Sequence, residues 1–351
     1  MKKGMRGLRG SSGALRIAAL LCCAALGPSC KSSNAPAPTP AATDSGRADA
    51  TAPSHPDATT GGARDAAAQT NPDAQTTAPP IPPGEDGPGV YPPVPRIIAI
   101  GDVHGDGSAT LKVLEGTGVI DADQNWAAGT TWVVQVGDQL DRGYQEEEIL
   151  RLFDKLRDQA RAAGGRFLAL NGNHEIMQAE GDLRYVFDEQ AFGGLDARRR
   201  SFAPGGEWAK VLAKRNVIVQ VGRTVFVHGG ALPGHARVGI ESMNADTKAW
   251  LEGDLAQQPT FVDGSGSIVW DRTYSDDDPD DIVANRCEIL DEVLRVLDAD
   301  RIVVAHTVQP RVNSICDGKA WRIDTGIASY YGSNLQAIEI ADGFVNTITV
   351  R

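Results

Sequence analysis

The first third of this 351-residue chain is almost bare of aromatics: all six tryptophans and all eight phenylalanines lie beyond Pro95, while 14 of the 20 prolines fall between Lys31 and Pro95. Tyr91 is the sole aromatic of residues 31–95, which are mostly Ala, Pro, Thr, Ser, Gly and Asp. Such a stretch buries too little apolar surface to offset the entropy of ordering it, which excludes a core and predicts a disordered tether. Positive charge is also short. A formal net charge of −12 argues against nucleic acid or an anionic membrane surface as the main partner. The apolar run near the start, Ile17 to Leu26, is too short to span a bilayer as a stable helix.

That run follows Lys2, Lys3, Arg6 and Arg9, so residues 1–30 read as an export signal peptide. The signal ends in GPSC, which resembles the lipobox of bacterial lipoproteins, although Gly27 stands where an apolar residue is usual and Leu26 lies one place further back. A lipid anchor on Cys30 would hang the protein from a membrane of the bacterial cell envelope by the 31–95 tether; without it the protein is periplasmic or secreted. Cys22 and Cys23 leave with the signal. Cys287 and Cys316 remain in an exported domain, where a disulfide is commoner than two buried thiols, and neither has a metal-ligand spacing.

Residues 96–351 are long enough for one large domain. Ile97 to Ile100, Trp132 to Val136 and Arg166 to Leu170 read as strands ending in GDVHG, GDQLDRG and NGNHE, with helices near 108–115 and 145–163 between them. Parallel order would bring these polar ends to one sheet edge. Asp102 and His104 flank Val103 and face the same way if the chain is extended there. Asp138 closes the second strand, and Asp141 and Arg142 add a carboxylate and a planar cation suited to an oxyanion. The plainer alternative makes Asp141 an N-cap and leaves Arg142 solvated.

Residues 176–215 read as a mostly helical insertion. Val217 to Val221 and Thr224 to Val227 follow as strands, the second ending in His228, Gly229 and Gly230, where glycine lets backbone approach a ligand. A helix near 247–251, the segment SIVWDRTY, an acidic run Asp276 to Asp281 read as a solvated loop, a helix over 282–297 and the strand Arg301 to Ala305 come next. The tail from Val312 predicts antiparallel strands closing a second sheet. Four of only six histidines, His104, His174, His228 and His306, sit at strand ends, accompanied by Asp and Asn at chelating offsets.

This ordered set resembles the phosphoprotein phosphatase family of calcineurin-like metallophosphoesterases, and WDR, VVAHT and WRIDTG resemble its bacterial Shewanella-like branch. The resemblance implies an α/β domain, a four-layer α/β/β/α sandwich with two mixed sheets. It also implies a pair of divalent metal ions, Mn, Fe or Zn: one held by Asp102, His104 and Asp138, the other by the shared Asp138 with Asn173, His228 and His306. In that family a hydroxide held between the metals attacks the phosphoryl group. His174 corresponds to the general acid, oriented by Asp141, and it is expected not to be a ligand because Asn173 would point away in an extended chain. Arg142 and Arg272 correspond to phosphate-binding cations. A surface Arg272 paired with the acidic run is the plainer alternative. Val308 stands where related diesterases carry a further histidine, and Ala305, where bacterial members usually have Gly, adds a methyl expected to crowd the site.

The implied activity is hydrolysis of phosphomonoesters, on phosphoprotein (phosphotyrosine or phosphoserine/threonine) or on a small phosphate ester. Two alternatives remain. One is a nucleotide or dinucleoside polyphosphate hydrolase of the same superfamily, using cations such as Arg198, Arg199 and Arg200, a triplet read more simply as a solvated helix end. The other is a catalytically silent phosphate-binding module.

Overall fold

Period-two alternation in short β-branched runs sets the architecture of the computed structural model, which describes residues 85–277 and 283–351. The first half contains β1 (Val90–Tyr91), β2 (Arg96–Ile100), α1 (Gly107–Gly116), β3 (Trp132–Gln135), α2 (Glu146–Ala162), β4 (Arg166–Ala169), α3 (Asn173–Glu180), α4 (Leu195–Phe202) and α5 (Glu207–Leu212). The second contains β5 (Ile218–Val221), β6 (Thr224–Val227), α6 (Pro233–Val238), α7 (Ile240–Glu252), α8 (Arg286–Leu297), β7 (Arg301–Val304), β8 (Asn313–Ile315), β9 (Ala320–Arg322), β10 (Gln336–Ala341) and β11 (Phe344–Thr349).

One sheet runs β11-β10-β2-β3-β4, with β2, β3 and β4 parallel; the other runs β1-β5-β6-β7-β9-β8, with β6, β7 and β9 parallel. Ile97, Ala99, Val134, Leu168 and Leu170 meet Val219, Phe226, Val303 and Ala305 in a core between the sheets. The alternate residues Ile98, Ile100, Val133 and Phe167 face outward onto Val113, Phe153 and Leu156 of α1 and α2. On the far side Ile218, Val225, Ile302 and Val304 pack against α4, α5, α7 and α8 through Phe202, Trp208, Met243 and Leu290. Strand residues thus serve two cores, and the layers read α/β/β/α as expected. Each fully buried aliphatic or Phe side chain contributes roughly 1.5–3 kcal/mol.

Four expectations need correction. The fold begins before residue 96: β1 pairs with β5, Tyr91 is buried against Trp132, and Asp86 is buried, so the last residues assigned to the tether join the sheet. The tail is shared between sheets, because β8 and β9 extend the β6-β7 edge while β10 returns antiparallel to β2. Arg198 is not at a solvated helix end. It is fully buried, facing Glu146, whereas Arg199 and Arg200 stay exposed. The helix expected over 282–297 starts later, α8 opening at Arg286; Asp277 of the acidic run stays exposed, as a solvated loop requires, and pairs with Arg322 at 2.7 Å, while residues 278–282 lie outside the described residues. The signal peptide, Cys30 and the tether up to residue 84 also lie outside them. Cys287 and Cys316 are bonded, with Cα atoms 5.3 Å apart.

Candidate metal centre and phosphate cleft

The C-terminal ends of β2, β3 and β4 point the same way, so the turns that follow them converge. The turns after β2 and β3, and the one after β7 in the other sheet, are bent rather than extended: His104, Asp138, Asp141, Arg142 and His306 all have positive φ, between 41° and 67°. The left-handed region costs a non-glycine residue about 1–3 kcal/mol and gathers at functional sites. The extended Asp102-Val103-His104 chelate is therefore corrected to a turn, which still leaves His104 Nε2 3.9 Å from Asp102 Oδ2. Gly137 (φ 98°) and Gly172 let two turns touch. A Cβ on Gly172 would stand 2.2 Å from Asp138 Oδ1.

Asp138 is the centre of the arrangement. Its Oδ2 lies 3.7 Å from His104 Nε2, 3.8 Å from His174 Nε2 and 3.2 Å from His228 Nε2. His228 Nδ1 donates to the Val136 carbonyl at 2.9 Å and its Nε2 lies 2.9 Å from Asn173 Oδ1, while His104 Nδ1 is 3.1 Å from the Leu140 carbonyl. Those carbonyls fix each ring so that Nε2 faces the carboxylates, the outer-sphere support usual for metal-binding histidines. His228 and His306 stack edge to face with centroids 5.0 Å apart.

The residues fit a metal. Donor atoms of His104, Asp138 and His174 lie within 4.8 Å of one another, as do those of Asp138, His228 and His306, so Asp138 belongs to both groups. Both carboxylate oxygens of Asp102 and Nε2 of His306 are buried without a hydrogen-bond partner, an arrangement that costs free energy unless a ligand completes it. Burial, then the neighbouring carboxylates of Asp324 and Asp138, push the Asp102 carboxyl well above its usual range. Burial, followed by His174, pulls the His104 imidazole down to about 3, and burial with His228 and Arg272 lowers His306 far below 6.5. Both rings are held in the neutral form that ligates cations.

Asn173 and His174 open α3 rather than an extended segment, so both face the cleft, and the expectation that they point apart is corrected. His174 Nδ1 is 2.6 Å from Asp141 Oδ2, and its Nε2 is turned to the cleft. Burial opposes the charged ring, but Asp138 and Asp141 outweigh it and raise its pKa. Asp141 is no helix cap: the residue before α2 is Gln145, and Asp141 Oδ1 accepts from Gln178 at 3.0 Å with Arg198 3.5 Å away. Arg198 is itself gripped by Glu146.

A cavity of about 230 Å³ opens over this centre, lined among others by Arg142, Trp270, Arg272 and Thr307. Arg142 is not solvated as the plainer alternative has it; its guanidinium lies 4.6 Å from the Tyr185 ring and 5.1 Å from that of Tyr331. Arg272 donates to Thr307 Oγ1 at 2.9 Å. Gly229 and Gly230 make room for Asp271. Ala305 packs in the core between the sheets, and Val308 lines the cavity without a donor.

Two acids were not singled out from the sequence. Glu175 accepts the backbone N–H groups of Asp138, Gln139, Leu140 and Gly172, shaping the turn, and the final letter of GNHE is its only trace. Asp324, in WRIDTG, is buried next to Asp102 and pushed up to about 6 by burial. The aromatics Tyr185 and Tyr331 carry no motif.

Two stacked mixed sheets, with carboxylates, imidazoles and an asparagine gathered at their strand ends under two arginines, define a metal-dependent phosphoesterase. The model of the calcineurin-like phosphoesterases matches residues 95–310, and the chain belongs to that family. It is similar to Shewanella-like protein phosphatase 2 of Arabidopsis thaliana, 33% identical over 73% of this chain and 75% of that protein, and to Shewanella-like protein phosphatase 1 of Plasmodium berghei, 31% identical over 67% and 68%. A solved cold-active protein-tyrosine phosphatase of a psychrophilic Shewanella superposes with a TM-score of 0.63 at 27% identity, covering 76% of this chain and 84% of that one. The protein is a metal-dependent phosphatase, a phosphoric monoester hydrolase acting on phosphorylated substrates.

Proposed function

We propose that the protein removes phosphate from phosphoproteins, on tyrosine or on serine and threonine, with two divalent cations sharing Asp138. Asp102 and His104 would hold one, and Asn173, His228 and His306 the other. The observation that carries this reading is the buried Asp138 carboxylate, whose one oxygen is set among three imidazoles within 3.8 Å, beside the unpartnered oxygens of Asp102. Mn, Fe and Zn all suit such mixed oxygen and nitrogen donors. Bound there, divalent ions supply Lewis-acid polarisation of the phosphoryl group and an acidified water as nucleophile.

The chain's own groups account for the rest. Arg142 and Arg272, which both line the cavity, bind the outer phosphoryl oxygens, leaving the ester oxygen towards His174. His174, kept protonated by Asp138 and Asp141, donates its Nε2 proton to that oxygen as it leaves. Export to the cell envelope, with Cys30 as lipid anchor, belongs to the same proposal and rests on the basic start and the short apolar run.

Purified protein with manganese and p-nitrophenyl phosphate tests the assignment. His174→Ala is expected to abolish turnover while metal content stays normal. Loss of metal in that variant would make His174 a ligand, and undiminished turnover would remove it as the acid. No turnover on any phosphomonoester with metal bound would favour a silent phosphate-binding module.

A further inference from the structure

Beside the phosphate cleft lies a second cavity of about 310 Å³, bounded by Gly105, Arg142, Tyr144, Gln145, Phe187 and Tyr330. Three large aromatic side chains stand open to solvent around it: Tyr144 is 67% exposed, Phe187 49% and Tyr330 57%. They are not scattered. Phe187 packs edge to face on Tyr144 at 4.9 Å and reaches Tyr330 at 6.4 Å, and Tyr330 meets Tyr331, which lines the cleft, at 4.9 Å. A continuous exposed aromatic surface of this kind loses free energy to water unless something covers it.

Arg142 lines both cavities, and its guanidinium lies 5.4 Å from the Tyr330 ring. A phosphoryl group held by Arg142 therefore fixes where the rest of its substrate enters the aromatic groove. In an extended peptide, side chains two residues apart share a face about 6.5 Å apart, the scale of two adjacent pockets. Among the described residues Arg142 is the only cation of the groove lining, so a further phosphate of a polyphosphate chain finds no extra countercharge from them there. The remaining charge is Asp106, whose oxygens accept from the backbone N–H of Ala109 and of Ser329, and whose sign repels an acidic neighbour.

We propose that this groove is a substrate subsite that takes an aromatic side chain two residues along a phosphopeptide from the phosphorylated residue. It rests on the phosphatase reading of the neighbouring cleft and adds the sequence context of the substrate to it. Phe187 and Tyr144 receive the ring edge to face, and acidic residues at that position are disfavoured.

The test uses the full chain loaded with manganese and a pair of peptides bearing a non-hydrolysable phosphonate, identical except for Phe or Ala two residues away, with both chain directions tried. Fluorescence anisotropy is expected to give about tenfold tighter binding for Phe in one direction, the scale of a well-packed aromatic contact. Phe187→Ala and Tyr144→Ala should each shrink that ratio towards one. A ratio near one in the unaltered protein, a ratio that survives both substitutions, or tighter binding of ADP than of either peptide would overturn the subsite. Turnover of p-nitrophenyl phosphate is followed separately. Turnover without the ratio removes the subsite alone, whereas the ratio without turnover removes the phosphatase reading and leaves an aromatic peptide-binding groove.

Discussion

Arg198 and Glu146 face each other with no exposed surface on either side chain, joined by contacts of 2.6 and 2.7 Å. The pair sits behind the catalytic cleft. Glu146 Oε1 also accepts the backbone N–H of Asp141 at 2.6 Å, and Arg198 Nε donates to Gln178, which donates in turn to Asp141. Asp141 is thereby held from two directions while it orients His174. Removing one member of a buried ion pair leaves a charge without compensation, which costs about 3–5 kcal/mol. Arg198→Met is expected to lower unfolding stability by that amount in urea titrations. A loss below about 1 kcal/mol, the level of an exposed pair, would show that the network is not closed as described.

Asp141→Asn keeps the shape of the side chain and removes its charge. With His174 no longer held as imidazolium by that neighbour, kcat on p-nitrophenyl phosphate should fall by about 10²–10⁴, the usual scale of general-acid help. Metal content, measured by elemental analysis, should not change. Wild-type kcat in this variant would separate Asp141 from the reaction.

Gly172 faces Asp138 so closely that a methyl group there overlaps Oδ1 at 2.2 Å. Gly172→Ala must push the shared carboxylate out of line. Metal affinity is expected to drop by about 10–100-fold, as when groups that orient a ligand are disturbed. Isothermal titration with manganese reads this directly, and unchanged affinity would mean that Asp138 does not hold the ion.

Asp86 lies far from the cleft motifs in sequence and is buried with both oxygens unpartnered. Burial, opposed by Arg157 and Arg215, pushes its pKa up to about 7 from 3.8. The folded state therefore holds this proton more tightly than the unfolded chain does. Its stabilising effect is complete below about 4 and is lost as pH rises to about 7, a difference of up to about 4 kcal/mol at 1.4 kcal/mol per unit. Asp86→Asn should gain on the wild type steadily between about pH 4 and pH 7 and level off above it in chemical denaturation. A stability difference that is flat over that range would contradict the raised pKa.

The strand-end motifs were legible in sequence because each is a local event: a β-branched run, a glycine, then a donor. Asp102, His104, Asp138, Asn173, His228 and His306 were all named that way, and the structure gathers them around one point. The helical opening at Asn173 and the left-handed turns at His104 and Asp138 were not legible, since non-glycine residues take such conformations only under tertiary constraint. Arg198 was misread for a related reason. A triplet of arginines on a short helix looks solvated until Glu146, 52 residues away, supplies the countercharge.

Composition and order by themselves determined the aromatic-poor first third and the polar ends of the strands, because these depend on residue type and on short-range period; the ligand set and the layered α/β class followed from the family resemblance that those strand-end motifs carry. Tertiary structure alone decided which residues back the site and which border it: Glu175 under the Asp138 turn, Arg198 behind Asp141, and the tyrosines around Arg142. Those contacts join segments with no common motif, and only the stacking of two sheets and the turns at their ends brings such segments within hydrogen-bonding reach.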